Sequence, residues 1–197
     1  MGLVTLVSGG IDSSLMSLLA RDEKIQLHPL FIQYGQLGWK REWAACSSFH
    51  KRHSLPVPEI VDIRDFGRLI PSGLTSKKLR VNEDAFLPNR NGLFILIGMS
   101  YAFKVGANAV AIGLLSEEFK IFNDQTREFV DKFQAALNFG MDSHIQVLTP
   151  LIKMSKSEVI ELARKHHLGP AYSCHFGQEK PCGKCISCLE IIKAGGY

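Results

Sequence analysis

The residues near the start of the chain that are best suited to chemistry are V-S-G-G-I-D-S-S at positions 7–14, here called the glycine loop. An apolar run at 3–7 predicts a strand before the loop, and the apolar stretch 15–20 predicts a helix after it. Backbone N–H groups in such a turn point into one hollow, and the helix dipole adds partial positive charge. The loop is therefore predicted to bind an anion. An ordinary turn, in which Ser and Asp only cap the helix, is the alternative.

The two glycines of the loop favour the anion site. Gly9 and Gly10 accept positive φ and place no Cβ between the backbone and a phosphate. The Walker A spacing G-x-x-x-x-G-K-[ST] is absent, which excludes that kind of phosphate loop.

A second group of chemically suited residues lies near the C-terminus, where Cys174, Cys182, Cys185 and Cys188 follow the spacing C-x7-C-x2-C-x2-C. Four thiolates so spaced can close a tetrahedral zinc site, which would be structural because no coordination position stays open. An iron–sulfur cluster is the alternative, since C-x2-C-x2-C also occurs in ferredoxin-type runs. Zinc is favoured because a full set of four thiolates is present and nothing else indicates redox chemistry. Cys46 stands apart and is expected to be buried and inert.

Composition limits the class of protein. The chain has 197 residues, of which 46% are hydrophobic and 21% charged, as in an ordinary globular protein. No apolar run approaches the roughly 18 residues of a membrane span, and no signal peptide is visible, so we expect a cytoplasmic protein. A net charge of +4 permits an anionic substrate such as ATP but is too small to indicate nucleic-acid binding.

Strand and helix patterns alternate along the rest of the chain. Strands are predicted at 26–33, 59–63, 108–113 and 145–148, and helices at 39–53, 92–105 and 126–139. Pro29 indicates that its strand is at an edge or begins after it. Residues 66–87 have few periodic apolar positions and predict a long, partly mobile excursion.

The sequence S-K-S-E at 155–158 matches a helix capping box. It places Lys156 in the first helical turn, where a cation works against the helix dipole, which indicates another role for this lysine. A solvated surface lysine is the alternative.

This alternation predicts an α/β fold: a doubly wound, mostly parallel five-stranded sheet at 1–170, followed by a small zinc-binding segment at 171–197. Ligands of such sheets bind beyond the carboxyl ends of the strands. The glycine loop, the turn at 34–36 and Gly113 all follow predicted strands, so we expect them to meet at one edge.

Read together, the motifs resemble a known family. S-G-G-I-D-S at 8–13 resembles the signature of N-type ATP pyrophosphatases, and within that class the chain is similar to the 7-cyano-7-deazaguanine (preQ0) synthases. The likeness runs almost end to end, and the cysteine spacing is its most specific part. The other matching stretches are F-I-Q-Y-G-Q at 31–36, P-N-R-N-G-L-F at 88–94, G-A-N-A-V-A-I-G at 106–113, T-P-L at 149–151 and S-K-S-E.

The resemblance implies that ATP activates the carboxylate of 7-carboxy-7-deazaguanine as an acyl-adenylate, which ammonia converts to an amide. A second ATP then drives formation of the nitrile. Asp12 would be a Mg2+ ligand, and Arg90 and Lys156 would stabilise negative charge on the phosphates. The residues implied to bind ATP are Val7, Ser8, Gly9, Gly10, Ile11, Asp12, Ser13, Ser14 and Gly113. Those implied to bind the acid are Tyr34, Gln36, Asp124 and Arg127.

One stretch departs from the family pattern. Family members usually carry G-Y-P-D-C-R-x-E-F after the fourth strand, where this chain has K-I-F-N-D-Q-T-R-E-F at 120–129. Thr126 stands in place of the arginine, and Arg127 follows it. The departure motivates an alternative: a paralogue, of the kind found beside bacterial defence genes, that adenylates a deazapurine acid and passes it to another amine, including one on a protein.

A third hypothesis is a non-catalytic module whose zinc site contacts RNA, but aromatic residues are sparse around the cysteines. We expect no membrane partner and no direct nucleic-acid partner. The resemblance implies a homodimer.

Overall fold

A computed structural model describes residues 2–116, 118 and 121–196, and these residues contain five strands and seven α-helices. The strands are β1 (Gly2–Val7), β2 (Gln26–Gln33), β3 (Glu59–Asp62), β4 (Ala109–Ala111) and β5 (Gln146–Leu148). The helices are α1 (Ile11–Asp22), α2 (Trp39–Arg52), α3 (Arg64–Leu69), α4 (Arg90–Val105), α5 (Arg127–Met141), α6 (Lys156–Lys165) and α7 (Ile186–Lys193). A short 3-10 helix spans Asn123–Gln125.

The five strands form one sheet in the order β3-β2-β1-β4-β5, and every pairing is parallel. From β1 the chain winds outward first through β2 and β3, then through β4 and β5 on the other side. The order therefore reverses beside β1, and a crevice opens there at the carboxyl ends of the strands. The predicted doubly wound five-stranded sheet is confirmed, and the sheet is parallel throughout.

Alternation along the strands builds two apolar layers. Leu3 and Ala109 face one side of the sheet, where Leu15 and Leu18 of α1 and Val159 of α6 pack. On the opposite side, Val4 and Val110 pack against Ile95 and Met99 of α4 and Val130 of α5. Because β1 is buried along its whole length, its apolar run anchors the glycine loop that follows it.

Pro29 lies inside β2, which is an interior strand, so the prediction of an edge strand or a later start is wrong. Pro29 is paired with Thr5 of β1, whereas pairing with β3 begins only at Leu30. At Pro29 the strand therefore has a neighbour on one side only, where a proline can be accommodated.

Part of the excursion at 66–87 packs against the C-terminal cysteines. The end of α3 falls within it, and Leu74, Val81 and Ala85 share an apolar cluster with Cys174, Cys185 and Cys188. These apolar residues of the excursion thus form one wall of the cysteine site. Within the described residues, no helix is long and apolar enough to cross a membrane.

Candidate functional site

A cavity of about 330 Å3 opens at the carboxyl ends of β1, β2 and β4. Its walls come from the glycine loop, the turn after β2, the first turns of α4 and α6, and the C-terminal segment. The charged and polar residues that line it are Ser8, Asp12, Ser13, Gln36, Glu42, Arg90, Asn91, Gln125, Lys156, Ser173, His175, Ser187 and Glu190. Residues distant in sequence therefore converge at the edge where the sequence predicts a site.

Ser13 fixes the shape of the glycine loop. Its hydroxyl accepts a hydrogen bond from the Ser8 N–H at 3.1 Å and lies 3.3 Å from the Gly10 carbonyl, to which it donates. Gly10 precedes α1 and carries no side chain that could cap it. The backbone at the start of α1 therefore faces the cavity in the arrangement that favours an anion.

The glycine loop residues have different positions. Val7, Ser8, Gly10, Asp12 and Ser13 line the cavity, whereas Gly9, Ile11 and Ser14, predicted to bind ATP with them, do not. Gly9 has φ +79°, and a Cβ there would lie 2.5 Å from the Glu42 carbonyl oxygen and 2.8 Å from the Cys46 nitrogen. Gly9 thus allows α2 to pack directly on the loop.

Asp12 and Lys156 form an ion pair across 144 residues of sequence, with Lys156 Nζ at 2.7 and 2.8 Å from the two carboxylate oxygens. The predicted capping box positions the lysine: Ser155 Oγ accepts from the Glu158 N–H, and Glu158 Oε2 accepts from the Ser155 N–H at 2.7 Å. Lys156 is therefore a residue of the cavity and not a solvated surface lysine. Gly113 stands close by, since a Cβ there would meet the Asp12 Cβ at 3.3 Å.

Glu190 of α7 adds a second carboxylate to this end of the cavity. Burial raises its pKa, and Lys156 and Asp12 act on it in opposite directions. Lys156 thus interacts with two carboxylates. It can exchange one of these partners for a phosphate, and the carboxylates can bind a cation in its place.

Arg90 lines the same cavity from the first position of α4. Its guanidinium carbon lies 5.8 Å from the ring centre of Tyr34 and 5.9 Å from that of Phe94. Arg90 Nε is buried and has no hydrogen-bond partner among the described residues. A buried donor without a partner is unfavourable, so an anionic ligand would complete this site.

Gln36, predicted to bind substrate, makes its hydrogen bonds within the protein. Its side-chain oxygen accepts from the Tyr34 N–H at 2.9 Å, and its Nε2 donates to the Ile32 carbonyl and, at 3.0 Å, to Glu42 Oε2. Tyr34 lines the cavity beside it. Gln36 therefore holds Glu42 in place.

Glu42 is a cavity residue that the sequence motifs did not single out. Burial raises its pKa to about 7, although Gln36 and Arg90 lower it. The sequence signal that could have found it is its position: an acid in the first turn of the helix that follows β2, at the same sheet edge.

His175 also lines the cavity and was not predicted there. Burial and the nearby Arg90 lower its pKa to about 4, so the ring is uncharged at neutral pH. Its Nδ1 is buried without a hydrogen-bond partner in the part of the chain that the structure describes.

The two substrate residues predicted from the divergent stretch lie outside the cavity lining. Asp124 Oδ2 accepts from the Asn91 N–H at 3.2 Å and so supports the start of α4. Arg127 bonds Thr149 Oγ1 at 3.2 Å and pairs with Asp131. It lines a separate depression with Glu118 and Lys153, so the structure does not bring it to Arg90. Lys120, which begins this stretch, lies outside the described residues.

The four predicted cysteine ligands come together. Their sulfur atoms all lie within 4.8 Å of one another, and the Cys182 and Cys188 sulfurs are 3.9 Å apart. A tetrahedral zinc site with Zn–S near 2.3 Å has S–S edges of about 3.8 Å. Although burial opposes it, N–H groups of Lys184 and Cys185 directed at Cys182 lower the pKa of this thiol to about 7. The donor set fits one tetrahedral metal ion.

The cysteine segment, residues 172–188, is joined to the glycine loop. The Tyr172 N–H donates to the Gly9 carbonyl at 2.9 Å, and Ser173 Oγ would lie 3.3 Å from a Cβ at Gly10. Because α7 follows directly after Cys185, the same cysteines also set the direction from which Glu190 enters the cavity. The metal site and the cavity therefore share a wall.

Solved structures with the same fold include a 4-thiouridine synthetase–RNA complex with bound ATP, with a TM-score of 0.56 and 18% identity over 98% of this chain. This chain spans 49% of that synthetase. The U34-tRNA thiolase NcsA from Methanococcus maripaludis with its [4Fe-4S] cluster gives a TM-score of 0.55 at 16% identity, over 99% of this chain and 64% of the thiolase. At these identities the likeness is one of fold.

Sequence relatives are closer. The 7-cyano-7-deazaguanine synthase of Acetivibrio thermocellus is 32% identical over 205 residues, which cover 96% of this chain and 90% of the relative. That of Methanobrevibacter smithii is 30% identical over 209 residues, covering 97% and 91%. A family model described as queuosine biosynthesis protein QueC matches residues 2–195. The resemblance seen in the motifs is confirmed, and the chain belongs to the QueC family.

Proposed function

We propose that this protein uses ATP to adenylate 7-carboxy-7-deazaguanine and, with ammonia, converts the acid to 7-cyano-7-deazaguanine with release of pyrophosphate. The relatives named for this product support the product, and the acid substrate is inferred from the family resemblance of the motifs. The observation that carries the proposal is one cavity lined by an uncapped helix start, the Asp12–Lys156 pair and a buried Arg90 with an unpartnered donor. These groups suit a ligand with several negative charges.

Each group has a role in adenylation. The start of α1, with Ser8, Gly10 and Ser13, would hold the β- and γ-phosphates. Lys156 would release Asp12 and turn to the phosphates, and both it and Arg90 would stabilise the charge that grows on departing pyrophosphate. The carboxylate of the acid is itself the nucleophile, so no serine or cysteine nucleophile is required.

Mg2+ fits the same end of the cavity, because Asp12 and Glu190 supply the carboxylate oxygens that this ion prefers. Bound with the phosphates, Mg2+ would neutralise charge on the pyrophosphate leaving group. For the cysteine site we propose structural zinc, because the close spacing of all four sulfurs fits a single ion. An iron–sulfur cluster would place its ligands on different irons and therefore farther apart.

Incubation of the purified protein with 7-carboxy-7-deazaguanine, ATP, Mg2+ and ammonium tests the proposal, with products identified by mass spectrometry. We expect the nitrile together with AMP and pyrophosphate. Asp12→Ala should abolish product while the zinc content stays unchanged. Asp22→Ala is the matched control, since Asp22 lies at the far, exposed end of the same helix and pairs with Arg21. Full activity in Asp12→Ala would contradict the site assignment.

The position of Arg127 supports a second candidate function. Because this arginine pairs with Asp131 outside the cavity, we infer that it does not take the place of the missing motif arginine in substrate recognition. The alternative is transfer of the adenylated deazapurine acid to another amine, including one on a protein. Accumulation of the adenylate or the amide without nitrile, in the same incubation, would favour this candidate over the first.

A further inference from the structure

Glu42 is a carboxylate in the cavity to which adenylation assigns no task. It projects from the first turn of α2 into the cavity, where it interacts electrostatically with Tyr34 and Arg90. Gln36 and Arg90 are the groups that act on the pKa of Glu42, whereas Lys156 and Asp12 act on that of Glu190. The backbone of Glu42 packs on Gly9, but its side chain is held by Gln36 and not by the ion pair of Asp12 and Lys156.

Gln36 holds one oxygen of Glu42 in a fixed position. The Gln36 side chain is 96% buried, as its relative exposure is 4%, and all its polar atoms are used by Tyr34, Ile32 and Glu42. Among the described residues, no lysine, arginine or histidine nitrogen forms an ion pair with Glu42 within 4.0 Å. The second oxygen, Oε1, is therefore free of a fixed cation and can serve a ligand.

The surroundings of the Glu42 carboxyl shift its pKa toward neutral pH. The ionisable groups that face it are Arg90 from α4, Tyr34 from the turn after β2 and Tyr172 from the cysteine segment. Burial outweighs Gln36 and Arg90 and raises the pKa of the Glu42 carboxyl to about 7. A group that titrates near the working pH is well suited to moving a proton.

The second substrate of the proposed function needs such a group. At neutral pH ammonia is present mainly as ammonium, which, like the lysine side chain, has no lone pair with which to attack. A carboxylate in a partly desolvated cavity binds such a cation and can take its proton. We propose that Glu42 binds ammonium in the cavity and removes the proton that must leave before the nitrogen attacks the acyl-adenylate.

The Glu42 carboxylate takes one proton from ammonium and leaves ammonia. The nitrogen lone pair forms the C–N bond at the acyl carbon, and the bond from that carbon to the AMP oxygen breaks, so AMP leaves with the electron pair. The attacking nitrogen then loses a second proton to solvent, since Glu42 is already protonated. Glu42 is regenerated when it, too, releases its proton.

A comparison of ammonium with hydroxylamine as the nucleophile distinguishes this role of Glu42 from a structural one. Hydroxylamine is a much weaker base than ammonia and is largely uncharged at neutral pH, so it needs no base before it attacks. Glu42→Gln keeps the shape of the side chain and removes the proton acceptor. Glu161→Gln is the control, because Glu161 is exposed on α6 and pairs with Lys165.

The inference rests on the proposed function, so adenylation is measured first, as exchange of pyrophosphate into ATP with the acid but without ammonium. We expect Glu42→Gln to retain exchange within about twofold of wild type and to lose about 100-fold in ammonium-dependent turnover. Hydroxamate formation from hydroxylamine should stay within about threefold of wild type. Raising the pH should restore the variant's ammonium activity as free ammonia increases.

The outcomes are distinguishable. Absence of exchange in wild type removes the proposed function and this inference with it. Exchange in wild type, combined with unchanged ammonium turnover in Glu42→Gln, overturns only the inference. An equal loss with both nucleophiles overturns it as well, since that result describes a positioning or folding defect. Should Glu42→Gln fold poorly by circular dichroism, Glu42→Asp, which shifts the carboxylate, is used in its place. For the inference to stand, Glu42→Asp must lose more turnover with ammonium than with hydroxylamine, relative to wild type.

Discussion

Gly9 shows how one residue of the glycine loop serves packing while its neighbours serve the cavity. Its φ of +79° and its contact with the backbone of α2 leave no room for a side chain. The approach brings α2, and with it Glu42, to the cavity. Glycines in phosphate loops are usually explained by the phosphate, but Gly9 is absent from the cavity lining and packs against the backbone of α2.

We expect Gly9→Ala to lower the free energy of unfolding by about 3 kcal/mol, from left-handed strain and a backbone clash that cannot relax. Urea unfolding measures this. Gly106→Ala is the matched control: Gly106 has φ +68°, but nothing lies within 4 Å of a Cβ there, so strain alone should cost about 1 kcal/mol. Equal losses in the two variants would show that the contact with α2 is unimportant.

Glu42 also predicts how stability changes with pH. Its pKa is raised from 4.5 to about 7 in the folded protein, so between these values the folded state keeps a proton that the unfolded state releases. Stability from this group is full below about pH 4.5 and is lost as pH rises through about 7. Measured by urea unfolding, wild type should therefore become less stable relative to Glu42→Gln over this range.

Glu161→Gln provides the contrast for this measurement. Lys165 lowers the pKa of Glu161, so its contribution has the opposite sign and is lost as pH falls. A wild-type minus Glu42→Gln difference that stays constant with pH would contradict the raised pKa.

At the scale of elements, helix α6 shows local sequence placing a distant functional group. The capping box of Ser155 and Glu158 fixes where the helix begins, and Lys156 therefore enters the cavity at a set angle. The pairing of Lys156 with Asp12 joins the starts of two helices, α6 and α1.

We expect Ser155→Ala to cost about 1 kcal/mol in the free energy of unfolding, as N-cap losses do, and to raise the KM for ATP several-fold because Lys156 loses its fixed position. Steady-state kinetics and urea unfolding measure the two effects. Thr126→Ala removes the N-cap of α5, where the Thr126 hydroxyl accepts from the Phe129 N–H at 3.1 Å. It should cost similar stability and leave the KM for ATP unchanged. A parallel rise of KM in both variants would mean that α6 has no special part.

The elements that sequence predicted are those with strong local patterns. The apolar runs of β1 and β4, the capping box of α6 and the cysteine spacing each carry their own physical signal, and each is found where predicted. The prediction from Pro29 was wrong because it considered only the N–H that proline lacks. Whether that N–H is needed depends on where β3 begins to pair with β2, and this cannot be read from the sequence around Pro29. His175 and Glu190 carry no sequence signal, since tertiary packing alone brings them to the cavity, and Glu42 is marked only by its place in the first turn of the helix after β2.

On the scale of the whole molecule, the cysteine segment connects the C-terminal part of the chain to the glycine loop after β1. Tyr172 bonds the Gly9 carbonyl, and the excursion at 66–87 packs its Leu74 and Val81 against the cysteines. Removing the metal is therefore expected to disturb three distant parts of the sequence at once.

Cys182→Ser should bring bound metal well below one equivalent and lower the Tm by more than about 5 °C, since a structural metal contributes folding free energy. Affinity for ATP should fall with it, because Tyr172 loses its fixed position at Gly9. Metal analysis, thermal melts and ATP titration give the three readouts. Cys46→Ala is the control: Cys46 is buried on α2 away from the cluster, so stability should drop while the metal content stays full. Unchanged metal in Cys182→Ser would contradict the four-cysteine site.

The ion pair between Asp12 and Lys156 has a consequence for synthesis of the protein on the ribosome. The aspartate is made early, and its partner follows 144 residues later, with Tyr172 and Glu190 later still. At about 5–20 residues per second this interval lasts roughly 7–30 s. During it β1 and β2 can pair, but the glycine loop has neither its lysine nor its cysteine segment. Nascent or truncated chains that lack these later segments are therefore not expected to bind ATP.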